Sequence, residues 1–174
     1  MSSPVAIKAA LERNVKVVEA RPSVGQGTAV TKVTLHPGLA CEVEEGPWRF
    51  SVGLTEKYGG ENTGPNPGVY GRAALGSCLA IGYGMWAARL EIPVRSLTVD
   101  VRARYDVRGE LGIDDTIRPG YADIVYVVTV DTDASDADVQ RLLDTADRYS
   151  SWLDDLRHPV PVSREVHIVR QQTA

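Results

Sequence analysis

The side chains in this 174-residue chain with the most to offer covalent chemistry are its two thiols, Cys41 and Cys78. A thiolate is a nucleophile and an electron donor, so the chemistry to test for is nucleophilic or redox. Competing constellations are weak. His36, His158 and His167 lie far apart, with no Cys or His at metal-ligand intervals, so no metal site is expected. Gly76-Ser77-Cys78 lacks the Gly-x-Ser-x-Gly pattern of a nucleophile elbow, which argues against serine hydrolysis. The run Gly59 to Gly68 reads as a turn leading into a helix start. It has neither the Gly-Lys-Ser/Thr of a phosphate loop nor the glycine spacing of a dinucleotide site, and no cofactor is called for.

The element that must position Cys78 is legible. Asn66-Pro67 starts a helix, because Asn accepts orphan N–H groups and Pro pre-sets φ at the first helical position. From Pro67 to Leu90 the only formal charges are Arg72 and Arg89, and the apolar residues keep to no single stripe, as in a helix enclosed by protein. Helical neighbours of Cys78 are Gly71, Ala74, Leu75, Ile81, Gly82 and Met85. The small ones would let a backbone or a substrate approach the sulfur. Each interior glycine costs about 1 kcal/mol against Ala, and four lie between Gly71 and Gly84. Two readings stay open on these residues alone: close packing around a small hydrophobe, or a reachable thiol.

An ordinary thiol is mostly protonated at neutral pH, and burial raises its pKa further. Cys78 lies about 16 Å beyond its own helix start, outside the reach of the macrodipole. Arg72, six residues earlier, points about 240° away round the helix. Any activating group must therefore come from another segment or another subunit. Cys41 sits in the alternating stretch Leu39 to Val43 and reads as structural or incidental. A bridge to Cys78 would need the Cα atoms within about 7 Å, and one such pair is not the disulfide framework of a secreted domain.

The surrounding pattern is α+β. Thr28 to Leu35, Cys41 to Glu45 and Trp48 to Leu54 read as strands, with a turn at Gly46-Pro47. After the apolar helix, Ser96 to Val107 alternates and Tyr121 to Val130 reads as its partner, across a long connection from Gly109 to Gly120. Ser135 and Asp138 form a cap before a helix with a Val139, Leu142, Leu143, Ala146 stripe running to about Trp152. Val160 to Val169, split by Pro161, offers a last strand. The whole, residues 1–174, is expected to be one domain, with residues 1–25 an unassigned N-terminal extension.

A formal net charge of −4 with dispersed positive residues argues against a nucleic-acid partner. The opening residues lack a signal peptide's order, and the glycines and Arg72 of the apolar helix argue against a membrane span, so a cytoplasmic protein is expected.

The block GGENTGPNPGVYGRAALGSCLAIGYGMWAARLEIPVRSLTVDVRARYD resembles the signature region of the OsmC/Ohr family of thiol-dependent hydroperoxide reductases. The Gly-Gly turn, the Gly-Pro-Asn-Pro helix start, the Cys eleven residues after the Pro, the Ile-Pro-Val break and the long strand occur in the family's order. The likeness extends more weakly to the later helix and last strand and leaves out the N-terminal segment. It implies antiparallel sheets wrapped around a buried central helix, and an intertwined homodimer whose pockets are lined by both chains.

It also implies that Cys78 is the peroxidatic cysteine, oxidised to a sulfenic acid and normally recovered through a disulfide. The position of the resolving cysteine is here Ser150. The family's Glu after Asn-Pro is Gly68, and its early Arg has no counterpart near His36-Pro37-Gly38. Tyr149 and Ser150 read first as ordinary helix end and packing, though with the pocket retained either could place a hydroxyl near Cys78; Glu61 reads first as a solvated loop carboxylate, with a displaced substitute for the lost Glu as the alternative.

Two functions follow. One is a one-cysteine reductase of organic or fatty hydroperoxides in oxidative stress defence, with Cys78 as nucleophile and an external thiol as reductant. The other is a non-catalytic dimer of the same fold that binds a small apolar ligand or acts as a redox-sensitive interaction protein. The missing Glu, Arg and resolving Cys favour the second; Cys78 in its family setting favours the first.

Overall fold

The computed structural model describes residues 3–170. Its centre is the apolar helix. Asn66 caps it by accepting the Val69 N–H at 3.1 Å, Pro67 occupies its first turn, and it runs Pro67–Leu90 before Glu91 ends it in the left-handed conformation. A further helix lies in the N-terminal segment, for which no element is expected. Ser3 accepts the Ala6 N–H and Pro4 follows, the same cap-plus-proline signal as Asn66-Pro67, and a helix fills Pro4–Ala20 within the unassigned N-terminal extension. In chain order this is α1 and the central helix is α2. They pack together, and Lys8 pairs with Glu91 at 2.6 Å where α2 ends.

Strands β1 (Lys32–His36), β2 (Ala40–Glu45) and β3 (Trp48–Gly53) form an antiparallel sheet in that order. The first begins at Lys32 rather than at Thr28, because β2 turns back at Glu45 and pairing ends at Lys32↔Glu44. Gly46, with positive φ, makes the β2–β3 turn. The register places Val33, Val43 and Phe50 in one row and Leu35, Cys41 and Val52 in the next, so the apolar side chains share a face. Much of that face is exposed in the single chain, including Val33, Leu35, Trp48 and Phe50. The sheet meets α2 near its start, where Tyr70 donates to the Ser51 carbonyl at 2.7 Å and its ring packs on Phe50.

Strands β4 (Ser96–Arg104) and β5 (Asp123–Asp131) pair antiparallel over their full length, with Leu97↔Val130, Val99↔Val128 and Val101↔Tyr126 among the partners. One face of β4 is solvated, as its alternation predicts. The strand stops at Arg104 rather than Val107, because Asp106 caps a single helical turn, α3 (Val107–Glu110), that opens the long connection. The inner face of this hairpin packs on Leu75, Leu79 and Tyr83 of α2 to make the main core.

The C-terminal part departs most from expectation. The amphipathic helix, α4 (Asp136–Arg148), buries Leu142 and Ala146 and is capped by Ser135 as read from sequence. It does not continue to Trp152. The chain breaks at Tyr149-Ser150, and a separate helix α5 (Ser151–Arg157) starts with Ser150 as its cap, its hydroxyl accepting the Leu153 N–H. The expected last strand over Val160 to Val169 is not formed: residues 158–170 carry no regular structure. Pro159 and Pro161 donate nothing to a ladder, and the segment's valines are exposed, Val162 at 90%. Among the described residues no helix is long and apolar enough to cross a membrane.

Candidate active site

Cys78 lies at mid-length of α2 and is half-buried. Its sulfur faces the break between α4 and α5. The Ser150 Oγ is 3.4 Å from the sulfur and the Ser151 Oγ 3.8 Å. Ser150 is the buried polar side chain of the core, 5% exposed. Leu153, three residues on, is buried in the cluster of Leu75, Leu79 and Tyr83 and pins the first turn of α5 against α2.

The thiol's acidity follows from these neighbours. Burial pushes it up, but hydrogen bonds from the Ser150 hydroxyl, the Trp152 backbone N–H, and the hydroxyl and backbone N–H of Ser151 outweigh that, and its pKa falls below the ordinary value. The groups acting on the thiol are neutral donors at a helix start, with no guanidinium or imidazole among them. The help comes from another segment, as the distance along α2 requires, and the segment is α5.

The other residues singled out by sequence are dispersed. Tyr149 stacks on Trp86, ring centroids 5.1 Å apart, and is exposed rather than turned to the sulfur. Glu61 lies against the β1–β2 turn, where a Cβ on Gly38 would stand 2.5 Å from its carboxyl carbon, and does not reach Cys78 within the chain. Arg72 donates to the Tyr121 hydroxyl at 2.9 Å, which donates to the Gly68 carbonyl. Arg72 and Tyr121 thus close over the backbone at Gly68. Cys41 and Cys78 are both free thiols, and no metal-binding cluster occurs among the described residues.

Sequence reasoning missed three residues beside the break. Asp147, in the last turn of α4, accepts from the Tyr83 hydroxyl at 2.6 Å and the Tyr126 hydroxyl at 2.5 Å. Tyr83 is 1% exposed. A fully apolar stretch holding a tyrosine, opposite an amphipathic helix with an Asp next to its buried Ala146, was the signal available. Burial, then the bond to Asp147, raises both phenols, that of Tyr126 to about 12.

Residues 60–165, the greater part of the chain from the Gly59-Gly60 turn through α5, match the model of the family described as OsmC-like protein. The chain belongs to the OsmC-like family. Solved structures share the fold at low identity. An OsmC-like protein from Mycoplasma pneumoniae is 12% identical with a TM-score of 0.65, over 77% of this chain and 90% of that one. An organic hydroperoxide resistance protein OsmC from Legionella pneumophila is 16% identical with a TM-score of 0.57, over 76% and 90%. An organic hydroperoxide resistance protein from Elizabethkingia anophelis is 17% identical with a TM-score of 0.57, over 77% and 91%. No curated protein matches the sequence significantly. Membership of the OsmC-like family accounts for the antiparallel sheets, the central helix and the order of the elements between them.

Proposed function

We propose that this OsmC-like protein is a one-cysteine reductase of organic hydroperoxides, with Cys78 as nucleophile. The observation that carries the reading is the half-buried Cys78 sulfur facing the capped first turn of α5, with its acidity raised. The thiolate attacks the terminal oxygen of R–O–O–H; an S–O bond forms as the O–O bond breaks, and the alkoxide leaves and is protonated to the alcohol. Sulfur is oxidised to the sulfenic acid and the peroxide is reduced by two electrons. The Ser150 hydroxyl and the α5 N–H groups stabilise first the thiolate and then the sulfenate oxygen. Ser150 cannot close a disulfide. An external thiol therefore condenses with the sulfenic acid, releasing water, and a second thiol frees Cys78 by exchange.

Such a cycle suits the cytoplasm, where small thiols are kept reduced. The working form is a homodimer. The exposed apolar face of the first sheet, the unpaired valine-rich tail and α2 glycines such as Gly71 and Gly82, with nothing within 4 Å of an added Cβ, all support a second copy covering this surface. Light scattering on the purified protein tests it, a monomer at micromolar concentration being the contrary result.

The catalytic reading is tested by mixing the protein with cumene hydroperoxide and trapping sulfenic acid with dimedone, using Cys78→Ser as control. Rapid trapping at Cys78, lost in the control, supports it. Oxidation no faster than that of a free thiol removes it and leaves the ligand-binding dimer.

A further inference from the structure

We infer that Asp147 is a positioning residue for the Cys78 thiol, acting through Ser150 and the break between α4 and α5. The inference rests on the reading of Cys78 as the reactive group. Asp147 is the last residue but one of α4, and its carboxylate is held by the Tyr83 hydroxyl from α2 and the Tyr126 hydroxyl from β5. Its backbone carbonyl accepts the Ser150 N–H at 3.3 Å. Ser150 in turn presents its hydroxyl to the sulfur and caps α5. The residue that fixes the cap by its main chain is thus fixed by its side chain to the helix that carries the thiol.

The groups facing the cluster come from every element packed there: the Tyr83 phenol from α2, the Tyr126 phenol from β5 and the Arg157 guanidinium in the last turn of α5, close enough to oppose the rise in both phenols. Asp147 and Arg157 therefore stand on opposite sides of the break. Asp147 is half-buried, and a carboxylate drawn partly out of water is best kept with its oxygens satisfied. Here one phenol serves each oxygen, an arrangement that fixes the carboxylate's direction as well as its place. A purely structural contact would hold the fold and leave the thiol unaffected. Because donor distance to the sulfur decides its acidity, loosening this anchor raises the thiol's pKa.

The test is the pH profile of Cys78 alkylation by iodoacetamide in the full chain carrying Cys41→Ser, compared across Asp147→Asn, Tyr126→Phe and Ser150→Ala, with circular dichroism to establish the fold. Asn keeps one acceptor oxygen and loses the other. Asp147→Asn is expected to move the midpoint up by about half to one pH unit, or three- to tenfold less thiolate at neutral pH. Tyr126→Phe moves it less, and Asp147→Asn adds little once Ser150 is Ala, as residues acting in series do. Folded variants with the parent's midpoint overturn the inference; if Asp147→Asn does not fold, Tyr126→Phe decides by the same criterion. Loss of peroxide reactivity in the parent, with the midpoint shift intact, would remove the catalytic reading and leave the positioning role standing.

Discussion

The Ser150 hydroxyl lies 3.4 Å from the Cys78 sulfur, across 72 residues of sequence, at the point where one helix stops and the next begins. A cysteine at 150 would bring two sulfurs together there. Ser150→Cys is expected to form an intramolecular disulfide with Cys78 on treatment with one equivalent of hydroperoxide, leaving Cys41 as the one free thiol by mass spectrometry of the alkylated protein. Retention of three alkylatable thiols after oxidation would show that the break does not hold the two positions at bonding distance.

The thiol's acidity has a defined sign. Since donors outweigh burial, the thiolate population grows at lower pH than for a free cysteine, and the rate of reaction with a hydroperoxide should rise through that shifted midpoint and then level. Ser150→Ala removes the strongest of the donors and is expected to move the midpoint upward, slowing the reaction near neutral pH by roughly three- to tenfold. Stopped-flow rates across pH 5 to 10 decide it.

Alkaline stability should report the Asp147 cluster. The Tyr126 phenol is raised to about 12, first by burial and then by its bond to Asp147. The unfolded chain loses that proton near 10 while the folded chain keeps it. The stabilisation is therefore complete below about 10 and lost as pH rises toward 12. Urea denaturation stepped across this window should show a falling midpoint, with a shallower fall in Tyr126→Phe.

Leu142 is the anchor between α4 and the end of α2, fully buried against Ala87 and Ile92. Leu142→Ala leaves a cavity that neighbours on two helices and a loop cannot close, and a loss of about 2–5 kcal/mol is expected. Urea melts followed by circular dichroism measure it. A loss under 1 kcal/mol would mean that this end of the core relaxes freely.

The elements read correctly were those whose causes are local. Asn66-Pro67 fixes the start of α2, alternation fixes β4 and β5, and Ser135 with Asp138 fixes the start of α4. The order of motifs from Gly59-Gly60 to the β4 strand was enough to reach the OsmC-like family. The helix of residues 4–20 carries the same kind of cap, Ser3 before Pro4, but its apolar residues are not enclosed, which leaves it the weaker signal. The break after Arg148 was masked because Val139, Leu142, Leu143 and Ala146 continue smoothly toward Trp152. The tail forms no strand for another reason: Pro159 and Pro161 lack the N–H that a ladder needs, although edge strands stand open in both sheets.

The sequence by itself determined that Cys78 would sit at mid-length of an apolar helix, too far from that helix's start to be activated by it. Composition, caps and spacing are local quantities, and they suffice for that. Only the tertiary structure decided what meets the sulfur. The Ser150 hydroxyl, the start of α5 and the Asp147 anchor come from segments far along the chain, brought there because Leu142, Ala146 and Leu153 bury themselves on α2. Which side chains converge at a point depends on how the helices pack, and packing is a property of the folded whole.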